Sequence, residues 1–155
     1  MWQRKQTLFL FVAAILLAAT WWLPINLYEV DGRQYELRTT GLYNGEGGEE
    51  ASTDMPFQWL ATAAAAVLVV VAFLYRDRMR QVRVARGVFL VILLIIAFIF
   101  ITDRSSRVHL SESGEVVARY GWSYFLPMAS LIFTYLAVRS IQADEELVRS
   151  ADRLR

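Results

Sequence analysis

Gly87-Val88-Phe89-Leu90-Val91-Ile92-Leu93-Leu94-Ile95-Ile96-Ala97-Phe98-Ile99-Phe100-Ile101-Thr102 carries no charge over its whole length. It is entered through Arg76-Asp77-Arg78-Met79-Arg80-Gln81-Val82-Arg83-Val84-Ala85-Arg86. A helix needs roughly 20 mainly apolar residues to cross the hydrocarbon core of a bilayer. This stretch reaches that length if Arg86 and Arg83 lay their stems along the helix and keep their guanidinium groups among the headgroups. Backbone in lipid must satisfy its own hydrogen bonds, so the run reads as a spanning helix.

Working outward, three more runs meet the same description. No charge falls between Lys5 and Glu29, between Asp54 and Arg76, or between Arg119 and Arg139. The expected fold is therefore a membrane all-α bundle of four transmembrane helices, about 7–25, 57–75, 86–102 and 122–141, within one integral membrane domain, 1–155. Outer loops would cover 26–56 and 103–121, with a cytoplasmic loop at 76–86 and a tail helix at 142–155. Composition agrees: 56% of residues are hydrophobic and 20% charged, against about a quarter charged in a soluble domain.

The basic residues set an expected orientation. An inside start places Arg4, Lys5, Arg76, Arg78, Arg80, Arg83, Arg86, Arg139, Arg149, Arg153 and Arg155 on the cytoplasmic side. Only Arg33, Arg38, Arg104, Arg107 and Arg119 remain outside. The positive-inside rule then puts both termini in the cytoplasm. Trp2 would lie at the inner interface, and Trp21, Trp22, Trp59 and Trp122 at the outer one, where indoles prefer to sit. Ala18, Ala19 and Thr20 after a basic start also resemble a signal-peptide cleavage site, but the apolar run continues to Ile25.

The outer loops carry strand signals. Asp31-Gly32 separates Leu27–Val30 from Arg33–Arg38, and such a pair accepts the positive φ angles of a two-residue hairpin turn. Ser113-Gly114 similarly separates Arg107–Leu110 from Glu115–Tyr120. The two hairpins would pair into a small extracytoplasmic sheet, while Gly41–Asp54 reads as a mobile segment. In the tail, Leu147, Val148, Ala151 and Leu154 share one helical face, and Glu145 and Arg149 stand at i, i+4.

Chemistry is sparse. With a net charge of +1 nothing suggests nucleic acid as a partner, so none is expected, and the lack of cysteine excludes thiol catalysis and thiolate metal sites. No ionisable residue falls in the interior of an expected span, Arg86 and Arg139 standing only at inner ends, which argues against a coupled transporter. Ala14 and Ala18, with Ala61 and Ala65, form small-xxx-small faces suited to close helix contact. His109 is the only histidine and stands without a metal partner. Glu46, Glu49, Glu50 and Asp54 lack the spacing of a calcium loop. No catalytic, cofactor or metal residue is expected. Candidate contacts to lipid or to a membrane or cytoplasmic protein partner are Arg76, Arg78, Arg80, Arg83, Arg86, Glu145, Arg149, Arg153 and Arg155.

The opening Trp2-Gln3-Arg4-Lys5-Gln6-Thr7 and the closing Asp144-Glu145-Glu146-Leu147-Val148-Arg149-Ser150-Ala151-Asp152-Arg153-Leu154-Arg155 resemble a family of small four-helix membrane proteins of Bacteroidota. The resemblance implies a bacterial inner-membrane location and no particular activity. The layout is also similar, by architecture alone, to claudin-type tetraspan proteins; Gly41-Leu42-Tyr43 faintly echoes their Gly-Leu-Trp element. The functional expectation is a non-enzymatic accessory or scaffold protein. Alternatives are an oligomeric channel or transporter lined by residues such as Thr62 and Gln58, and a membrane enzyme drawing on His109.

Overall fold

The computed structural model describes residues 3–45, 49–52, 57–74, 77–112 and 114–152. Among these the chain runs α1 (Gln3–Ala19), β1 (Asn26–Val30), β2 (Arg33–Leu37), β3 (Gly41–Asn44), β4 (Glu49–Ser52), α2 (Phe57–Phe73), α3 (Arg78–Ser111), β5 (Val116–Tyr120) and α4 (Leu126–Asp152). A 3-10 turn at Trp122–Tyr124 leads into α4.

Two of the described helical runs, Arg78–Ser111 and Trp122–Leu147, are long and apolar enough to cross a membrane by length and composition. This corrects the expected four-span bundle. α1 and α2 are each 17 residues, or about 26 Å at 1.5 Å per residue, short of the roughly 30 Å hydrocarbon core. α1 stops at Ala19 because the amides of Thr20, Trp21 and Trp22 bond back to Leu17, Ala18 and Ala19 at 3.1–3.2 Å. Pro24 then forces an extended exit. The expected four-pass inner-membrane arrangement with both termini cytoplasmic is accordingly not supported.

The helices pack side by side in a ring, α1 against α2 and α4, and α3 against α2 and α4. Leu10, Ala13, Leu17, Ala61, Leu68, Ile92, Ile95, Ala137 and Ile141 fill its centre. Small residues let the α1 and α4 backbones approach, and Ser130 Oγ donates to the Ala13 carbonyl at 2.9 Å. At the end away from the sheet, Gln81 Nε2 donates at 3.0 Å to the Val71 carbonyl, which also accepts the Leu74 amide at 3.1 Å, joining the start of α3 to the last turn of α2.

α3 is longer than its uncharged run. Asp77 caps its start, accepting the Arg80 amide at 3.1 Å, so most of the expected 76–86 loop is helix. The far end also continues: Ile92, Ile95, Ile99, Asp103, Ser106 and Leu110 are all buried at helical spacing. Arg107–Leu110 is therefore helix, not the first strand of a second hairpin.

Among the described residues the sheet has five strands in the order β4-β3-β2-β1-β5, every neighbouring pair antiparallel. It is neither a pair of hairpins nor a claudin-like layout. Asp31 (φ 48°) and Gly32 (φ 78°) make the tight turn between β1 and β2. β3 and β4 form within the stretch expected to be mobile, β3 held by pairing to β2 and β4 by pairing to β3. β5 joins at β1, and Gly121 allows it to do so. A Cβ at Gly121 would stand 2.3 Å from the Pro24 carbonyl oxygen.

Candidate functional site

β1 alternates Asn26, Tyr28 and Val30 inward with Leu27 and Glu29 outward. The inward residues face the sheet-end turns of α3, which carry Asp103 and Arg107. Asp103, 8% exposed, accepts three hydrogen bonds on one oxygen. Asn26 Nδ2 donates at 2.5 Å, the Tyr28 hydroxyl at 2.6 Å and Arg107 Nε at 3.0 Å. The guanidinium of Arg107 lies 5.9 Å from the Tyr28 ring centre and 5.5 Å from that of Tyr120, in cation–π range. Tyr124 extends this aromatic wall, 4.7 Å from Tyr120 and 5.6 Å from Phe100 between ring centres.

A carboxylate with this little water is costly unless neighbours offset its charge. Arg107 supplies the opposite charge, and Asn26 and Tyr28 supply neutral donors. Burial, reinforced by the bond to Asp103, pushes the Tyr28 phenol well above its ordinary value. The phenol thus remains a hydrogen donor throughout the neutral range. Asn26 Oδ1 is buried without a hydrogen-bond partner among the described residues. The arrangement fastens β1 to α3 and draws in β5 through Tyr120. It ties sheet and helices into one body.

The outer face of the sheet is a different kind of surface. Leu27, Tyr28, Glu29, Gln34, Val117 and Arg119 line a shallow cleft of about 90 Å³. It combines apolar ground with charges of both signs.

The sequence-derived candidates do not converge on either place. Arg78 reaches from the start of α3 to Asp144 on α4, with an ion pair at 2.8 Å and a bond to the Asp144 carbonyl at 3.3 Å. The ion pair is close, but its angle is not that of a hydrogen bond. Arg80 pairs with Asp77 at 2.9 Å, exposed on the same turn. Arg83 and Arg86 are exposed on α3, and Glu145 is half-buried on α4. Arg76 and the side chains of Arg149, Arg153 and Arg155 lie outside the described residues. So do the side chains of the acidic Glu46, Glu49, Glu50 and Asp54 set.

His109 is exposed on α3 rather than on a strand. Among the described residues, no group of three or more His, Cys, Asp or Glu side chains is placed to hold a metal ion. Thr62 receives the Trp21 indole at 2.8 Å and donates to the Gln58 carbonyl at 2.7 Å.

Asn26, Tyr28, Asp103 and Arg107 are the cluster that sequence reasoning missed. The available signal was the helical spacing of Ile92, Ile95 and Ile99 running on through Asp103, with Arg107 four residues further. Treating Asp103 as the end of the helix concealed it.

No curated protein matches the sequence. A family model described as Domain of unknown function (DUF4293) matches residues 2–154, and the chain belongs to that family.

Proposed function

We propose that the chain is a non-enzymatic accessory or scaffold protein of a membrane, held by α3 and α4 and presenting its sheet to a protein partner. The observation that carries this reading is the use made of Asp103. Its carboxylate, the most deeply placed charge in the described sheet–helix junction, is committed to bonds that fix β1 on α3. A platform held this way keeps its outer face in one shape, so a partner meets it with little ordering cost. That face offers Leu27 and Val117, exposed among Glu29, Gln34 and Arg119, a mixture common in protein contacts. The α4 segment beyond Ile141 is the second contact surface in this reading, with its root fixed by Arg78 and Asp144.

A photo-crosslinking side chain at position 34, in the full chain within native membranes, tests the proposal. One discrete protein adduct, lost on replacing Glu29 and Arg119 with residues of opposite charge, is the expected result. Deleting 142–155 should weaken co-purification of the same protein. A chain that purifies alone under gentle solubilisation, with no adduct from position 34, overturns the reading.

A further inference from the structure

β5 is an outer strand of the sheet, and its far edge has no neighbouring strand among the described residues. Its pairing with β1 fixes which backbone groups that edge offers. Gly121 donates its amide to the Ile25 carbonyl at 2.7 Å, and Arg119 and Val117 stand opposite Leu27 and Glu29. Backbone groups turn to alternate sides along a strand, so residues 117 and 119 direct theirs at β1. Val116, Ala118 and Tyr120 direct theirs outward. The opposite edge differs, because β4 joins β3 through a register irregularity at Leu42/Tyr43, a feature that discourages strand addition. β5 is regular, has no proline, and leaves Val117 51% and Tyr120 56% exposed.

The side chains along this edge complement themselves. Glu115, Val117 and Arg119 are exposed at alternate positions and share the outer face. Two antiparallel copies of β5 centred on Val117 bring Val116 opposite Ala118 of the second copy, so the outward amides and carbonyls meet. The same register sets Glu115 against Arg119 twice, once on each side of the two-fold axis. Opposite charges directly across a strand pair are favourable. A register centred on Ala118 instead sets Arg119 against Val117 and leaves Glu115 facing Gly121. We infer that β5 is a homodimer edge, joining two copies of this chain in the Val117-centred register into one continuous sheet. The inference does not rest on the partner reading above, although Val117 and Arg119 belong to both surfaces; a Val117→Cys homodimer and an adduct to a different protein at position 34 tell the two apart.

The chain has no cysteine, so single-cysteine variants of the full chain in native membranes give a clean report. Val117→Cys falls on the two-fold axis at a pair without hydrogen bonds, with Cα atoms about 4.5 Å apart, within the roughly 4.4–6.8 Å that a disulfide spans. Mild oxidation should convert it to a covalent dimer. Glu29→Cys, on the same face but one strand inward, should stay monomeric. Arg119→Glu in the Val117→Cys chain should abolish the dimer, and adding Glu115→Arg should restore it. The inference is overturned by no dimer at position 117, by equal dimer at position 29, or by adducts to a different protein alone. Failure of the double charge exchange to restore the dimer also overturns it.

Discussion

The Tyr28 hydroxyl donates to Asp103 at 2.6 Å across the boundary between sheet and helix, from residues 75 positions apart in the chain. Both groups are buried, so loss of this bond leaves a carboxylate without one of its three donors. Tyr28→Phe keeps the ring and its packing. It should cost about 1.5–3 kcal/mol, the range for a hydrogen bond to a charged group. Thermal unfolding in detergent measures the loss directly, and an unchanged midpoint would show that the bond contributes nothing to holding the sheet.

The same phenol predicts a dependence on alkaline pH. Its folded-state pKa is raised from the ordinary value of 10.0, by burial first and then by the bond to Asp103. The folded chain therefore holds this proton more tightly than the unfolded chain. The associated stability is complete below the unfolded value and declines as pH rises through it towards the folded one. Stability measured from pH 9 upward should fall more steeply in the wild type than in Tyr28→Phe. Parallel curves for the two chains would contradict the prediction.

Arg107 and Asp103 are not equivalent halves of their pair. The Arg107 side chain is 37% exposed and the Asp103 side chain 11%, so removing the cation leaves the more deeply buried charge behind. Arg107→Leu should destabilise by about 1–3 kcal/mol, the penalty for a buried polar group deprived of a partner. Replacing both residues with leucine should cost less than the sum of the two single changes, because neither charge is then stranded. A double-mutant cycle gives the coupling, and strict additivity would mean that the 3.0 Å contact has no energetic role.

The fold was legible in the sequence wherever local chemistry decided it. Asp31 and Gly32 adopt the positive φ angles that their identity favours, and the uncharged core of α3 is helical along its length. It was illegible where distant partners decide. β3 and β4 lie in a polar, glycine-rich stretch with weak strand preference, and they exist as strands because β2 offers β3 an edge and β3 in turn offers one to β4. The helix end at Asp103 was misplaced because an acidic residue normally marks water. Here Asn26, Tyr28 and Arg107 make the interior acceptable to it. Two of those residues arrive from a strand some 75 residues earlier in the chain, and no local pattern announces them.

Gly121 is the point at which β5 enters the sheet, and its lack of a side chain is what permits the approach. Its amide bonds to the Ile25 carbonyl at 2.7 Å. A Cβ placed there would stand 2.3 Å from the Pro24 carbonyl oxygen and 2.9 Å from that of Ile25. Both obstacles are backbone, and Pro24 holds its own segment stiffly, so neither yields by a change of rotamer. Gly121→Ala should therefore displace β5 from β1 and lower stability by about 1–3 kcal/mol, as overpacking does in close-packed interiors. The effect should also reach α3, since Tyr120 on β5 lies against Arg107. Amide hydrogen exchange separates this from a local disturbance. Faster exchange is expected at Val117 and Arg119, whose amides face β1, and also over the last turns of α3 near Asp103 and Arg107. Acceleration confined to β5 would mean that the strand is only attached to the junction and does not help to hold it.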